Sequence, residues 1–325
     1  MQNFLVMNCG PGLGDVIQNI IYIFHLKNNH NCKIYFFSFQ QNTHYNMLYK
    51  KIANNNEIFI NLENFDNISS FDNIFLLFNS NTYEIFAGKN ILVDTLSKIK
   101  YTHLHDIKVK DFIPSISQLI INNKNIFKQI HEYMKNIFYD SKDIFNVNNS
   151  ITISIGTITK CNKGITDLNF QNIISDLIKS NTNIHFSIIG RTNEIVSQKF
   201  KDCLLKNYSN VLNLIDKDSG LLDVVNILYH SKSFITRCSG LLHLAGLLNV
   251  HIMHLKNYTR GFDYFFHNDV ETYSIENDKL HPYYCEMWTP ISLNYTRIVE
   301  YKKYDYFYNN FNYVYNYLFK IINSL

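Results

Sequence analysis

The second half of the chain constrains the fold most, because short apolar runs alternate there with longer segments whose apolar residues have helical spacing. Parallel strands need helical crossovers between them, so repeated strand-helix units predict a doubly wound sheet of the α/β class. The predicted strands are 151–155, 184–189, 211–214, 233–236 and 251–255, and the predicted helices between them are 170–179, 194–204, 221–230 and 241–248.

The first half of the chain begins with the same alternation. Apolar residues predict a strand at 4–8, a helix at 16–26 and a strand at 33–39. A βαβ unit of this kind joins two parallel strands through a right-handed crossover. Further strands are predicted at 57–60, 73–78 and 90–93, and a further helix at 125–138.

The length of 325 residues suits two domains better than one. The segment 140–150 is polar and rich in asparagine, which is typical of a linker. We therefore expect an N-terminal domain over residues 1–145 and a second domain over 146–295. Aromatic residues at helical spacing predict a C-terminal helix within 296–325, which we expect to pack back on the N-terminal domain.

Composition and charge exclude several classes of protein. Hydrophobic residues make up 46% of the chain and charged residues 18%, which is typical of a folded protein. The net charge of +3 and the scattered lysines give no sign of a nucleic-acid partner. Six widely spaced cysteines without a C-x-x-C pair indicate neither a zinc site nor a disulfide framework. With no signal-like segment at the start, we expect a cytoplasmic protein.

Two glycine-containing motifs each follow a predicted strand and lead into a predicted helix. They are Gly10-Pro-Gly-Leu-Gly-Asp15 and Arg237-Cys-Ser-Gly-Leu-Leu-His243. Such a turn presents free backbone N–H groups and the positive end of a helix, which together bind phosphate. One motif in each half indicates two similar domains that face each other across a cleft.

The first motif offers a carboxylate at the start of its helix. We interpret Gly12 and Gly14 as turn residues. Asp15 has two interpretations. An ionised carboxylate at the mouth of a cleft can accept a proton from a ligand hydroxyl. It can equally stabilise the N-terminus of its own helix.

The second motif offers small and polar groups at the end of a strand. Gly240 lets a diphosphate approach the backbone, and Ser239 adds a hydroxyl. His243 lies one turn into the helix, where it either contacts a ligand or packs. The structural alternative is a Ser239 that caps the helix and a histidine in the core.

Both motifs resemble those of the lipopolysaccharide heptosyltransferases, family 9 of the glycosyltransferases. The stretch 223–255 resembles the family's donor-binding segment, in which Ser239, Gly240 and His243 match. The acidic residue of the family falls on Cys238, where this chain departs from the pattern. The first motif resembles the family's Gly-Asp-Val segment, and this resemblance implies that Asp15 is the catalytic base.

A third match lies between the other two, at 151–163. It resembles the first strand of the family's donor domain, followed by a threonine-bearing loop and a lysine. The resemblance implies that Lys163 binds the donor phosphates, with Lys160 close enough to exchange roles, and that Thr157 and Thr159 donate hydroxyl hydrogen bonds. Arg191 and Glu194 fall where the family recognises the nucleoside, although a strand-to-helix loop also uses such residues structurally.

The resemblance implies two facing Rossmann-like domains of the GT-B type, with parallel sheets and a deep cleft between them. The implied reaction moves a sugar, with inversion and without a metal or cofactor, from an ADP-heptose-like donor to a glycan or lipid-linked acceptor. Contact with the inner membrane surface would follow from such an acceptor. Two alternatives remain: a nucleotide-sugar epimerase or hydrolase of the same fold, and an inactive nucleotide-sugar-binding protein, which the cysteine at position 238 favours.

Overall fold

The computed structural model divides into two compact units, Met1–Ile137 and Phe138–Leu325. The division falls at the end of a helix, just before the polar segment 140–150. The structure describes residues 1–8, 13–38, 47–48, 51, 58–59, 71–78, 103–106, 124–138, 142, 145–155, 167–190, 195–214, 220–236, 239–257, 270–274, 280–283, 295–300 and 322, some of them by their backbone alone.

The first unit is built on a parallel sheet. Its elements are β1 (Gln2–Asn8), α1 (Leu13–Asn29), β2 (Cys32–Ser38), β3 (Ile58–Phe59), β4 (Asn73–Phe78), β5 (His103–Asp106) and α2 (Lys124–Phe138). Among the described residues the strand order is β3-β2-β1-β4-β5, with every pair parallel. The strands that the sequence predicts here are confirmed, except for 90–93, which lies outside the described residues.

A stripe of apolar residues holds α1 against this sheet. α1 contacts both β1 and β2. α2 packs on α1 from another side, with the ring of Tyr133 centred 4.8 Å from that of Phe24. Asn28 also donates a hydrogen bond from Nδ2 to Gln129 Oε1 at 2.5 Å. These two contacts hold the second half of α1 against α2. The residues of the stripe, all buried, are Leu13, Ile17, Ile20, Ile23 and Leu26.

The second unit is built on a larger sheet. Its elements are β6 (Ile151–Ser154), α3 (Asp167–Ser180), β7 (Phe186–Ile189), α4 (Ile195–Asn207), β8 (Val211–Asn213), α5 (Leu221–His230), β9 (Ser233–Thr236), α6 (Gly240–Leu247), β10 (His251–Asn257), β11 (Val270–Ser274), β12 (Leu280–Tyr283) and β13 (Tyr295–Glu300). Among the described residues the order is β12-β11-β13-β10-β9-β6-β7-β8, with only β11 and β12 antiparallel. The run β8-β7-β6-β9-β10-β13 is the Rossmann strand order. The predicted doubly wound sheet is confirmed.

The central strand β6 presents two chemically different faces. Ile151 and Ile153 belong to a core that also contains Ile235 of β9 and the buried residues of α3 and α4. Side chains alternate along a strand, so Thr152 and Ser154 lie on the opposite face. Thr152 Oγ1 lies 2.5 Å from Ser231 Oγ, at the end of α5, which places α5 on that face.

The C-terminal segment begins with a strand, and most of the range in which a helix is expected lies outside the described residues. Residues 296–300 belong to β13, which pairs in parallel with β10. Pairing with a strand distant in the sequence imposes the extended backbone, which local periodicity does not predict. Further along, Ile322 is buried in the core of the second unit, together with Ile151 and Ile153. Ile322 therefore packs on the second unit, and packing of the rest of the segment on the first unit stays a prediction.

The helices of the described ranges cover the sheets, and none of them is both long and apolar enough to cross a membrane. Within the same ranges, no three His, Cys, Asp or Glu side chains lie together as metal ligands would.

Candidate functional site

The carboxyl ends of β6 and β9 form the candidate site of the second unit. In a doubly wound sheet, ligands bind where the strand order reverses, because the loops there turn to opposite sides of the sheet. Here β6 pairs with β7 on one side and with β9 on the other, so the reversal falls between β6 and β9. The connections after these two strands therefore leave the same edge of the sheet side by side.

These connections carry the residues that the sequence analysis assigns to the donor. Ser239 and Gly240 follow β9, and His243 lies further along α6. The other candidates lie outside the described residues: Thr157, Thr159 and Lys163, which follow β6 in the sequence, Arg191 and Glu194, which follow β7, and Cys238, which follows β9.

The start of α6 lacks a side-chain cap. Ser239 occupies the N-cap position with an extended backbone, φ −157° and ψ 166°, but its side chain makes no capping hydrogen bond. Its Oγ instead lies 3.4 Å from Thr236 Oγ1, at the limit of a hydrogen bond. The predicted cap position is confirmed, and the capping bond is not formed. Leu242 donates its backbone N–H to the Ser239 carbonyl at 3.1 Å, so among the described residues the N–H groups of Gly240 and Leu241 are left for another acceptor.

His243 is a core residue of a helix that is buried on all sides. It is 5% exposed, and its neighbours from Leu242 to Leu247 are buried as well. Burial lowers the pKa of His243 to about 4, because the charged imidazolium loses its hydration there. A neutral imidazole brings no positive charge to a phosphate, so the packing interpretation of this residue fits the structure better.

Hydroxyl groups line the face of β6 that α5 covers. Ser231 Oγ donates to the Ile227 carbonyl at 2.6 Å, so its only proton is used there. Thr152 must therefore be the donor in its contact with Ser231. Ser187 of β7 donates to Ser150 Oγ at 3.1 Å. Ser154 Oγ, at the carboxyl end of β6, is buried and has no hydrogen-bond partner among the described residues.

Sequence reasoning does not select Ser154. Fully buried parallel strands are usually continuous apolar runs. In β6, isoleucine alternates instead with threonine and serine although every position is buried. From this alternation in the sequence, one can infer that β6 has a polar face that ends at the candidate site.

In the first unit the strand order reverses beside β1, which pairs with both β2 and β4. Gly12 lies outside the described residues. Gly14 is not a turn residue as expected, because α1 begins at Leu13, whose buried side chain anchors the first turn. Asp15 is the third residue of α1, at the positive end of the helix, and only its backbone is described. Both interpretations of Asp15 remain open.

The residue that follows β7 has a positive φ angle. Gly190 has φ 137°, a value that residues with a side chain rarely adopt. Glycine is therefore required at this position by the path of the chain. The glycine before Arg191 is therefore explained by the backbone conformation. The roles of Arg191 and Glu194 in binding the nucleoside stay predictions.

The fold matches that of solved glycosyltransferases over nearly the whole chain. E. coli heptosyltransferase WaaC with ADP has a TM-score of 0.60 at 11% identity, and the match covers 98% of this chain and 99% of that one. E. coli ADP-heptose LPS heptosyltransferase II has a TM-score of 0.55 at 14% identity, covering 100% and 99%. A glycosyl transferase family 9 protein from Veillonella parvula DSM 2008 has a TM-score of 0.53 at 12% identity, covering 96% and 91%.

At these identities the likeness concerns the fold. The expected α/β architecture of the GT-B type, with parallel sheets, is confirmed, and so is the resemblance in fold to the heptosyltransferases. No family model and no curated protein sequence matches the chain.

Proposed function

We propose that the protein is an inverting glycosyltransferase that moves a sugar from an ADP-heptose-like donor to a hydroxyl group of a glycan or lipid-linked acceptor. The observation that carries this proposal is the uncapped N-terminus of α6 at the point where the strand order of the second sheet reverses. A diphosphate fits such a position because several backbone N–H groups and the helix dipole act on it together. The likeness in fold to a heptosyltransferase with ADP supports the choice of nucleotide.

On the donor side, the N–H groups of α6 and the hydroxyl of Ser239 bind the diphosphate, with Gly240 allowing close approach. Lys163 neutralises the charge that develops on the leaving diphosphate, a role that metal ions fill in other transferases. The remaining donor contacts in this proposal are Thr157 and Thr159 to the phosphates, Arg191 and Glu194 to the nucleoside, and Cys238 to the sugar, while His243 supports α6 from within the core.

On the acceptor side, Asp15 is the proposed base. Its carboxylate removes the proton of the acceptor hydroxyl as that oxygen attacks the anomeric carbon. The new carbon-oxygen bond forms on the face opposite the bond that breaks, so the configuration inverts and the nucleoside diphosphate leaves with the bonding electrons. Gly12 and Gly14 keep the backbone around the carboxylate compact.

The proposal is tested by release of ADP from ADP-sugars in the presence of candidate acceptor glycans, with wild type and Asp15→Asn compared. The variant keeps the size of the side chain and removes the base, so we expect turnover to fall at least a hundredfold, consistent with the usual contribution of general-base catalysis. Affinity for ADP should stay within about twofold, because the nucleotide binds the other unit in this proposal. The matched control is Asp176→Asn, which changes an exposed carboxylate on α3.

The same assay separates the alternatives. ADP release that does not depend on an acceptor indicates a hydrolase, and conversion of the nucleotide sugar without ADP release indicates an epimerase. Binding without any turnover indicates the inactive binding protein, which the cysteine at position 238 favours. Full activity of Asp15→Asn contradicts the proposed base.

A further inference from the structure

Ser154 differs from the other hydroxyl residues around β6. Thr152 is the donor in its contact with Ser231, and Ser187 donates to Ser150. These hydroxyls are buried and partnered, as buried polar groups normally are. Ser154 is 2% exposed, and within the part of the chain that the structure describes its Oγ has no hydrogen-bond partner. A buried hydroxyl in this condition destabilises the folded chain unless something else binds it.

The position of Ser154 connects it with the start of α6. In the pairing of β6 with β9, Ile153 lies opposite Ile235, so Ser154 is one step further, beside Thr236. Both side chains lie on the face of the sheet opposite the isoleucine core. The hydroxyl of Thr236 contacts Ser239, the residue before the first turn of α6. The hydroxyl of Ser154 and the uncapped start of α6 therefore lie at the same end of two neighbouring strands.

We infer that Ser154 is a phosphate-binding residue, whose hydroxyl donates a hydrogen bond to an oxygen of the nucleoside diphosphate held at the start of α6. This inference rests on the proposed function. It adds a hydrogen bond from β6 to the diphosphate, beside those from the N–H groups at the start of α6. Because the hydroxyl is already out of water, ligand binding strips no water from it, and the new bond contributes its full strength. The 3.4 Å contact between the Thr236 and Ser239 hydroxyls is weak, so the Ser239 hydroxyl can readily replace it with a hydrogen bond to the same ligand.

The test compares Ser154→Ala with Ser187→Ala. Both variants remove one buried serine hydroxyl on the same face of neighbouring strands, but of the residues that the structure describes, Ser150 accepts a hydrogen bond from Ser187 and none pairs with Ser154 Oγ. Binding of ADP and of inorganic pyrophosphate is measured by titration calorimetry, and stability by thermal unfolding without ligand. Pyrophosphate is included because its binding does not depend on the base of the nucleotide.

The two variants should differ in which property is lost, affinity for the ligand or thermal stability. Ser154→Ala should bind both ligands roughly tenfold to a hundredfold more weakly, the usual effect of losing a hydrogen bond to a charged group, and should unfold at the same or a higher temperature than wild type. Ser187→Ala should unfold at a lower temperature and bind both ligands within about twofold of wild type.

Equal affinity of wild type and Ser154→Ala overturns the inference and leaves the proposed function intact. Equal weakening in both variants also overturns it, because the effect would then come from the packing of the sheet. If wild type binds neither ADP nor pyrophosphate, the proposed function fails and the inference fails with it.

Discussion

At the scale of single residues, burial decides what His243 contributes. The sequence places a histidine one turn into a helix beside a candidate ligand site, where it is a natural phosphate contact. In the folded chain α6 is buried from Leu242 to Leu247, so the imidazole is neutral near pH 7. Its contribution is therefore to packing and to the pH dependence of stability.

Because of His243, the folded protein should become less stable as the pH is lowered. Its pKa is lowered from 6.5 to about 4 in the folded chain, so between these values the unfolded state binds the extra proton and the folded state does not. The free energy of unfolding should drop by about 2 kcal/mol from pH 7 to pH 5 through this group alone. Burial lowers the pKa of His251 as well, which adds to the loss in the same direction.

Urea unfolding of His243→Gln at both pH values measures this contribution. The variant should show a smaller drop than wild type. An unchanged pH dependence in His243→Gln contradicts a buried, neutral histidine.

At the scale of elements, the end of α6 shows how local hydrogen bonds stop a helix. Asn249 donates its backbone N–H to the Gly246 carbonyl at 3.0 Å, and Val250 donates to the Ala245 carbonyl at 3.0 Å. This pair of bonds is a Schellman motif, which requires a left-handed residue after the helix. Asn249 supplies it with φ 56°, and its buried Oδ1 finds no hydrogen-bond partner in the described ranges.

Glycine should therefore be better than asparagine at position 249. Asn249→Gly removes the left-handed strain and the unpartnered amide oxygen, and we expect a gain of about 0.5–1 kcal/mol in the free energy of unfolding. Asn249→Ala should lose about 1 kcal/mol, because alanine resists this conformation. Chemical denaturation measures both. Asn183→Gly is the control: this exposed residue is outside the left-handed region, so glycine there should only destabilise.

The elements that sequence reasoning predicts are those with a local signal. α5 and β9 match their predicted ranges at both ends, because apolar periodicity and flanking polar residues mark each boundary. β5 has the sequence His-Leu-His-Asp, and only its pairing with β4 makes it a strand. β13 likewise depends on β10. Strands of this kind are determined by partners far along the chain, which no local pattern reveals.

The same distinction applies to the candidate site: the parts with a local signal are predictable from the sequence, and the parts that depend on distant neighbours are not. The uncapped turn at Ser239 is visible in the sequence as a strand, a glycine and a helix. Ser154 requires the structure, because the meaning of its hydroxyl depends on which neighbours are already paired and on the register of β6 with β9.

At the scale of the whole molecule, the proposed function assigns the nucleotide to the second unit. Hydrogen exchange with and without ADP tests that assignment along the entire chain. We expect slower exchange at the amides of Gly240 and Leu241, whose N–H groups start α6 and face the proposed diphosphate. Amides of β1 and β2 should exchange at unchanged rates. Protection that is confined to the first unit contradicts the assignment.

The order of strands in the second sheet also bears on self-association. Within the described part of the chain, that sheet ends on one side in β8, which has 3 residues, and the edge carries Leu212 at 41% exposure. An open edge can template pairing with another molecule, and a very short edge strand limits how many such bonds form. The brevity of β8 therefore acts as protection against aggregation, and lengthening its apolar run would make the concentrated protein prone to form intermolecular sheets.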